Sequence, residues 1–175
     1  MTTEHNNGIE NLVFPSWDDQ WFFTPKVNKY YSRVQRISKE HIVKLPRSWE
    51  LKHKYTEVEG MKEFTNELRS QQIAYDKVLC VPKPEGIFEV KIRSFTWLPY
   101  KSLGLVMEFV PGKNLSDLMW DEFGPFDEAE KKMETGMGKA RNLVFEFGDC
   151  DFKNAIWNEE KQKTYLIDLR YWRLK

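Results

Sequence analysis

Two aspartates and an asparagine near the C-terminus constrain this chain more than any other feature. Asp149 precedes Asn154 by five residues, a short apolar strand follows, and Asp168 closes a second apolar strand. Mg²⁺ prefers such oxygen ligands and usually takes only one or two from a protein. Phosphoryl transfer also needs a carboxylate that orients the attacking hydroxyl group. The competing interpretation is structural, because Asp and Asn are also common turn residues.

The order of the predicted elements indicates an α+β fold. Alternating apolar and polar residues predict a hairpin from Tyr30–Ser38 and His41–Leu45, and helical spacing predicts a helix at 57–75. The other predicted elements are strands at Phe88–Trp97 and Leu103–Phe109, separated by Pro99 and Gly104, helices at Asn114–Leu118 and Phe126–Asn142, and short strands at Leu143–Phe147, Ala155–Trp157 and Thr164–Ile167.

Composition places the chain among ordinary globular proteins. Its 175 residues fit one domain, and its formal net charge of zero gives no electrostatic reason to expect a nucleic-acid or membrane partner. The sequence shows no signal peptide and no apolar stretch of membrane-spanning length, so we expect a cytoplasmic protein. Cys80 and Cys150 are expected to be buried, unpaired thiols.

The C-terminal segment resembles a known catalytic loop. Residues 147–157, followed by Tyr165-Leu166-Ile167-Asp168, resemble the catalytic loop and metal-binding turn of protein kinases and of aminoglycoside or choline phosphotransferases. This resemblance implies ATP and Mg²⁺ as cofactors. It also implies that Asp149 is the catalytic base and that Asn154 and Asp168 hold magnesium.

The N-terminal half carries further parts of the same resemblance. The strand ending at Lys44 resembles the one whose lysine contacts the α- and β-phosphates, and in that family a helical Glu pairs with this lysine. Glu67 suits that position best, with Glu63 one turn earlier as the alternative. Residues 105–115 resemble the hinge, where backbone groups of Glu108 to Val110 would bind adenine. The structural alternative for Lys44 is a solvated charge at a strand end.

Several positions depart from the family pattern. The stretch Lys26–Ser32 has no glycine where a phosphate loop is expected, Phe147 replaces the usual histidine, and the metal turn reads Asp168-Leu169-Arg170. Only Tyr171–Lys175 follow the metal turn in this sequence, so we expect none of the segments in which larger kinases bind their substrates. It therefore resembles the minimal kinases of some bacterial pathogens, which dispense with those segments.

The resemblance implies a two-lobed architecture. The N-lobe, at about 26–110, is expected to have a five-stranded antiparallel sheet and one helix. A hinge is expected at 108–113 and a strongly reduced helical C-lobe at 114–175. Residues 1–20 are expected to form an N-terminal tail outside the domain, which then spans 21–175.

Three functions follow from these observations. The first is a phosphotransferase that passes the γ-phosphate of ATP to a hydroxyl of a protein or small molecule. The second is a pseudokinase that binds nucleotide or scaffolds a partner without turnover. The third is a degenerate relative with no ligand. The phosphate acceptor is not identified, and one option is a protein partner that completes the site.

Overall fold

The computed structural model describes residues 16–24, 34–45, 57–77, 79–94, 97–122, 124–143, 145–146 and 151–174. The strands are β1 (Ser16–Thr24), β2 (Val34–Arg36), β3 (His41–Lys44), β4 (Pro84–Ser94), β5 (Trp97–Glu108), β6 (Lys113–Asn114), β7 (Phe145–Glu146), β8 (Ala155–Asn158), β9 (Lys163–Leu166) and β10 (Arg173–Leu174). The helices are α1 (Glu57–Asp76), α2 (Leu115–Leu118) and α3 (Phe126–Leu143), with 3₁₀ turns at Phe152–Asn154 and Leu169–Tyr171.

The largest sheet has the strand order β1-β4-β5-β3-β2. β2, β3, β5 and β4 pair antiparallel, whereas β1 joins the edge of β4 in parallel. The expected five-stranded antiparallel sheet is therefore not confirmed, because its antiparallel part comprises four strands. β1 also crosses the boundary expected at residue 20, and the domain bounds themselves stay a prediction.

Strand β5 is longer than the sequence pattern predicts. Pro99 and Gly104, expected to separate two strands, both lie inside it. β3 pairs with 105–108 of β5, so Pro99 lies outside that pairing, near a bulge in the pairing with β4. A Cβ on Gly104 would lie 2.4 Å from Val43 Cγ2, which is too close. A glycine at this position of β5 therefore leaves the space that the Val43 side chain of β3 occupies. The predictions that Pro99 and Gly104 interrupt the strand were therefore wrong.

Helix α1 packs against one face of this sheet. Phe64 lies in a buried cluster with Ile87, Leu105 and Met107, from β4 and β5. The structure places the helix at Glu57–Asp76, so the predicted helix is confirmed to within one residue. This packing fixes the helix face that carries Glu67.

The C-terminal part is built around two small antiparallel sheets. β6, β8 and β9 form one, and β7 with β10 forms the other. Helix α3 packs on β9, and one buried cluster joins Met133 of α3 to Trp157, Leu166 and Trp172. The predicted positions of α3, β8 and β9 agree with the structure, while β10 was not predicted.

A tight turn links the two parts after β5. Gly112 has φ +151°, and a Cβ there would lie 2.1 Å from the Trp157 carbonyl oxygen. Only glycine fits this turn without moving β8. Across the residues that the structure describes, we find no helix with the length and apolarity that a membrane crossing requires.

Candidate functional site

Lys44 and Glu67 form a buried ion pair. Lys44 Nζ lies 2.6 Å from Glu67 Oε1 and 2.8 Å from Glu67 Oε2. The Lys44 side chain is 6% exposed and that of Glu67 2%. Lys44 ends β3, and Glu67 stands on the sheet-facing side of α1, so the core packing holds both. The structure therefore contains the pair that the resemblance implied, with Glu67 as the partner; the side chain of Glu63 is not among those described.

Asp168 completes a three-residue cluster with this pair. Its Oδ1 lies 2.5 Å from Lys44 Nζ, although 124 residues separate the two positions. Asp168 adopts a left-handed backbone conformation, with φ 57° and ψ 57°, directly after β9. Asp tolerates this conformation better than most residues. Its side chain is 28% exposed, so it is the cluster's solvent-accessible member.

The cluster's charges suit a cation. One ammonium faces two carboxylates, which leaves one formal negative charge that Lys44 does not balance. Asp168 and Asn154 also lie at the same end of the β8–β9 hairpin, because Ala155 pairs with Leu166 and the Ile167 N–H donates to the Asn154 carbonyl at 2.9 Å. These oxygen donors fit Mg²⁺, which needs few protein ligands.

Larger metal sites are not found in the described part of the chain. No three His, Cys, Asp or Glu side chains come together there in a group that could hold a metal ion. A structural zinc site of four protein ligands therefore has no candidate among these residues. The donor set at Asp168 and Asn154 is of the kind that leaves most coordination positions to water or phosphate.

An apolar surface adjoins Lys44 on the sheet. Residues directly opposite in antiparallel strands point to the same face. Val34 and Leu105 flank Lys44 in the register, and Ile42 pairs with Met107 one position further along the same face. Val34 is exposed and Ile42 half-buried. Leu105 and Met107 are buried in the cluster beneath α1, so Val34 and Ile42 are the part of this surface on which an aromatic base could pack while its phosphates reach Lys44.

The hinge residues offer a limited set of backbone groups. The N–H of Glu108 donates to the Lys83 carbonyl at 2.8 Å, and the N–H of Phe109 donates to the Glu40 carbonyl at 2.6 Å. These two donors are therefore committed within the protein. The carbonyls of Glu108 and Phe109 and the N–H of Val110 form no turn or loop hydrogen bond with the described residues, so they are the hinge groups that we expect to meet a purine edge. From the sequence we expected any backbone group of Glu108 to Val110 to contact adenine, and the structure reduces these candidates to the three groups just named.

Some predicted positions fall outside the described residues. Asp149 and Phe147 belong to the stretch 147–150, and Lys26–Ser32 belongs to 25–33. The roles predicted for them remain predictions. The residues on both sides of 147–150 are described: β7 ends at Glu146, and the 3₁₀ turn begins after Asp151.

Two residues that the sequence did not single out organise the loop after Asp149. The Asp151 carboxylate accepts from the Lys153 N–H and forms an ion pair with Lys153 Nζ at 3.0 Å. The hydrogen bond between the two side chains is the main cause that lowers the pKa of Asp151 below its ordinary value. Asn114 caps α2 by accepting from the Ser116 N–H, and its amide donates to the Lys153 carbonyl at 2.7 Å. An Asn before a short helix is a recognisable cap, but no sequence pattern indicates the link to Lys153.

Comparison with known proteins gives matches among solved structures alone. No family model matches, and no curated protein matches. A crystal structure of WbdD is similar at TM-score 0.54 and 17% identity, covering 83% of this chain and 30% of that one. A co-crystal structure of WbdD with the kinase inhibitor LY294002 gives a TM-score of 0.52 at 17% identity, covering 83% and 31%. A third structure, of the bifunctional kinase-methyltransferase WbdD, gives 0.47 at 18% identity, covering 83% and 30%.

These similarities concern the fold. At 17% identity they show a kinase-like fold, in agreement with the α+β architecture and the antiparallel strands described above. The chain spans about a third of the length of the WbdD chains that it matches. The finer placement among aminoglycoside-type or bacterial effector kinases stays a prediction.

Proposed function

We propose that this chain binds ATP with Mg²⁺ and transfers the γ-phosphate to a hydroxyl group of a protein or small molecule. The observation that carries the proposal is the contact of the Lys44 ammonium with both Glu67 and Asp168. A phosphate-binding lysine, its positioning carboxylate and a metal-binding carboxylate must meet in such a site. Lys44, Glu67 and Asp168 are in contact although they come from a strand, a helix and a turn far apart in sequence, and this supports the proposal.

Each residue has a distinct task in this proposal. Lys44 donates hydrogen bonds to the α- and β-phosphate oxygens, and Glu67 keeps the ammonium in place. Asn154 and Asp168 hold the metal ion, which when bound neutralises the charge on the phosphates. Asp149 orients the attacking hydroxyl group towards the γ-phosphorus and accepts the proton of that hydroxyl. The Glu108 carbonyl and the Val110 N–H contact the adenine edge.

The first test is thermal unfolding with and without ATP and MgCl₂. A ligand that binds only the native state stabilises it by about 2.7 kcal/mol at one hundred times its Kd. We expect a rise of the midpoint that needs both ligands together. Asp168→Asn should lose the magnesium-dependent part of the shift. Asp127→Asn, which makes the same change at an exposed position on α3, is the control and should keep it. No shift at millimolar ATP and Mg²⁺ would overturn the proposal.

The second candidate function is that of a pseudokinase. It is favoured by the absence of glycine from Lys26–Ser32 and by Phe147 in place of the usual histidine. Turnover separates the two. Release of ADP that depends on an acceptor, and that Asp149→Asn abolishes while the ATP-induced shift survives, supports the transferase. A magnesium-dependent shift without ADP release against a panel of protein and sugar acceptors supports the pseudokinase.

A further inference from the structure

A second concave surface lies between α1, α3 and β9. It is an open groove of about 610 Å³. Lys44, Glu67, Asn154 and Asp168 do not line it, so it is separate from that cluster, whereas Glu108 belongs both to its lining and to the hinge. Its volume falls in the range of about 300–1,000 Å³ typical of small-molecule sites.

The α3 wall of the groove is one face of that helix. Lys132, Thr135, Gly136 and Lys139 line it, at the spacing of residues on one side of an α-helix. Gly136 has no side chain, and a Cβ there would come no nearer than 3.6 Å to Leu166 Cδ1. Gly136 therefore contributes only backbone to the surface between the two lysines.

The opposite wall is apolar. Leu79 and Val81, from the segment between α1 and β4, are 6% and 2% exposed, and Tyr165 of β9 is 8% exposed. Cys80 lies between Leu79 and Val81, and burial raises the pKa of its thiol, so it adds no negative charge near neutral pH. This wall suits the apolar body of a ligand.

The charges of the groove are unbalanced. Three lysines line it, and Glu108 is the one carboxylate among its described lining residues. Lys132 is already engaged, with Glu128 at 2.8 Å and the Gln162 carbonyl at 2.7 Å. Glu108 is engaged too, because its Oε2 accepts from the Lys83 N–H at 3.1 Å. Lys139 and Lys163, both exposed, form no ion pair with a described carboxylate.

Several other polar groups of the groove already donate within the protein. Thr135 Oγ1 donates to the Lys131 carbonyl, and Thr164 Oγ1 donates to the Ala129 carbonyl, both within 2.8 Å. Gln162 Nε2 donates to the Glu159 carbonyl. Among the described lining residues, the ammonium groups of Lys139 and Lys163 are therefore the cationic donors without a described ion-pair partner, and Tyr75 and Tyr165 add hydroxyl groups. We infer that the groove binds a small organic anion, with a carboxylate, sulfonate or phosphate group between Lys139 and Lys163 and an apolar body against Leu79, Val81 and Tyr165.

Naphthalene-1-sulfonate tests this inference, with 1-naphthalenemethanol as its uncharged counterpart. In amide ¹H–¹⁵N spectra of the full chain, we expect the sulfonate to shift Cys80, Val81, Lys139 and Lys163 in a saturable manner. Added salt should weaken binding, because the ammonium groups are exposed. The uncharged compound should bind several-fold more weakly.

Charge-removing variants make the test specific. Each of Lys139→Gln and Lys163→Gln should weaken sulfonate binding by about two- to fivefold, and the double variant by about tenfold. Lys131→Gln makes the same change on α3 at an exposed residue outside the groove and should leave the affinity unchanged. Shifts centred on Lys44 and Glu67, equal binding of both compounds, or unchanged affinity in the double variant would each overturn the inference. So would a response to a Glu-rich peptide without one to the sulfonate.

Discussion

Lys44 Nζ lies 2.5 Å from Asp168 Oδ1, and so joins the end of β3 to the turn that follows β9. The same ammonium contacts both oxygens of Glu67. Two of the three side chains are almost fully buried, so this is an interior charge cluster and not a surface salt bridge. Because water reaches Lys44 and Glu67 so little, their charges are stabilised mainly by the other members of the cluster.

Removing the lysine should therefore be costly for stability. Lys44→Met leaves Glu67 buried without its counterion, and breaking a buried pair in this way costs about 3–5 kcal/mol. We expect a loss of that size in the free energy of unfolding, measured by urea denaturation. The double variant Lys44→Met/Glu67→Leu replaces both charges of the buried pair by apolar groups and should recover most of this loss, because the Asp168 carboxylate that it leaves unpaired is partly exposed to water. A double variant as unstable as the single one would contradict this account.

The cap on α2 should matter for stability because it also ties the loop after Asp149. Asn114→Ala removes the acceptor for the Ser116 N–H and the donor to the Lys153 carbonyl. We expect a loss of about 1–2 kcal/mol in urea denaturation. Asn114→Asp keeps the cap and loses only the donor, so it should cost less than the alanine. Equal losses would mean that the cap contributes little.

Two glycines should respond in opposite directions to the same substitution. Gly112→Ala brings a Cβ against the Trp157 carbonyl at a positive φ, so we expect a loss of about 2–4 kcal/mol. Gly138 lies inside α3, and no described neighbour stands within 4 Å of the position that a Cβ would take. Gly138→Ala should therefore stabilise by about 0.5–1 kcal/mol. Thermal and urea denaturation of both variants measure this. A neutral Gly112→Ala would show that the turn is more adaptable than its geometry indicates.

Cys80 should react slowly with alkylating reagents near neutral pH. Burial raises the pKa of its thiol, although Lys163 and Lys161 oppose the shift. The thiolate is the reactive form, so a raised pKa lowers its fraction at pH 8. In a Cys150→Ser variant, we would measure the rate of reaction with iodoacetamide as a function of pH. The midpoint of this curve should lie at a higher pH in the folded protein than in the urea-unfolded protein. The same midpoint in both states would contradict the burial.

Local patterns in the sequence predicted the parts of the fold that depend on local interactions. The spacing of Met61, Phe64 and Leu68 indicated α1, and alternation indicated the β2–β3 hairpin. Lys44 and Glu67 were identified by resemblance, and the structure brings them into contact. Their role in binding a nucleotide stays a prediction, as do the roles of Asp149, Asn154 and Asp168.

The errors came from interactions with distant residues. Gly104 looks like a strand break, yet it lies inside β5 because Val43 of the adjacent strand fills the space beside it. Pro99 lies outside the part of β5 that pairs with β3, so its missing N–H removes no hydrogen bond from that pairing. The parallel addition of β1 to β4 and the contact of Lys44 with Asp168 also depend on residues far apart in the chain. Local patterning does not contain that information.

The Lys44 cluster has a consequence for the order of folding. Glu67 is 23 residues from Lys44 and Asp168 is 124 residues away. Closing the longer loop costs about 1.5 kcal/mol more in chain entropy. The Lys44–Glu67 pair needs only the strand and helix of the N-terminal part, whereas Asp168 reaches it only after β8 and β9 have formed. We therefore expect the lysine and glutamate to be in contact early, and the metal-binding turn to close the site as one of the last steps of folding.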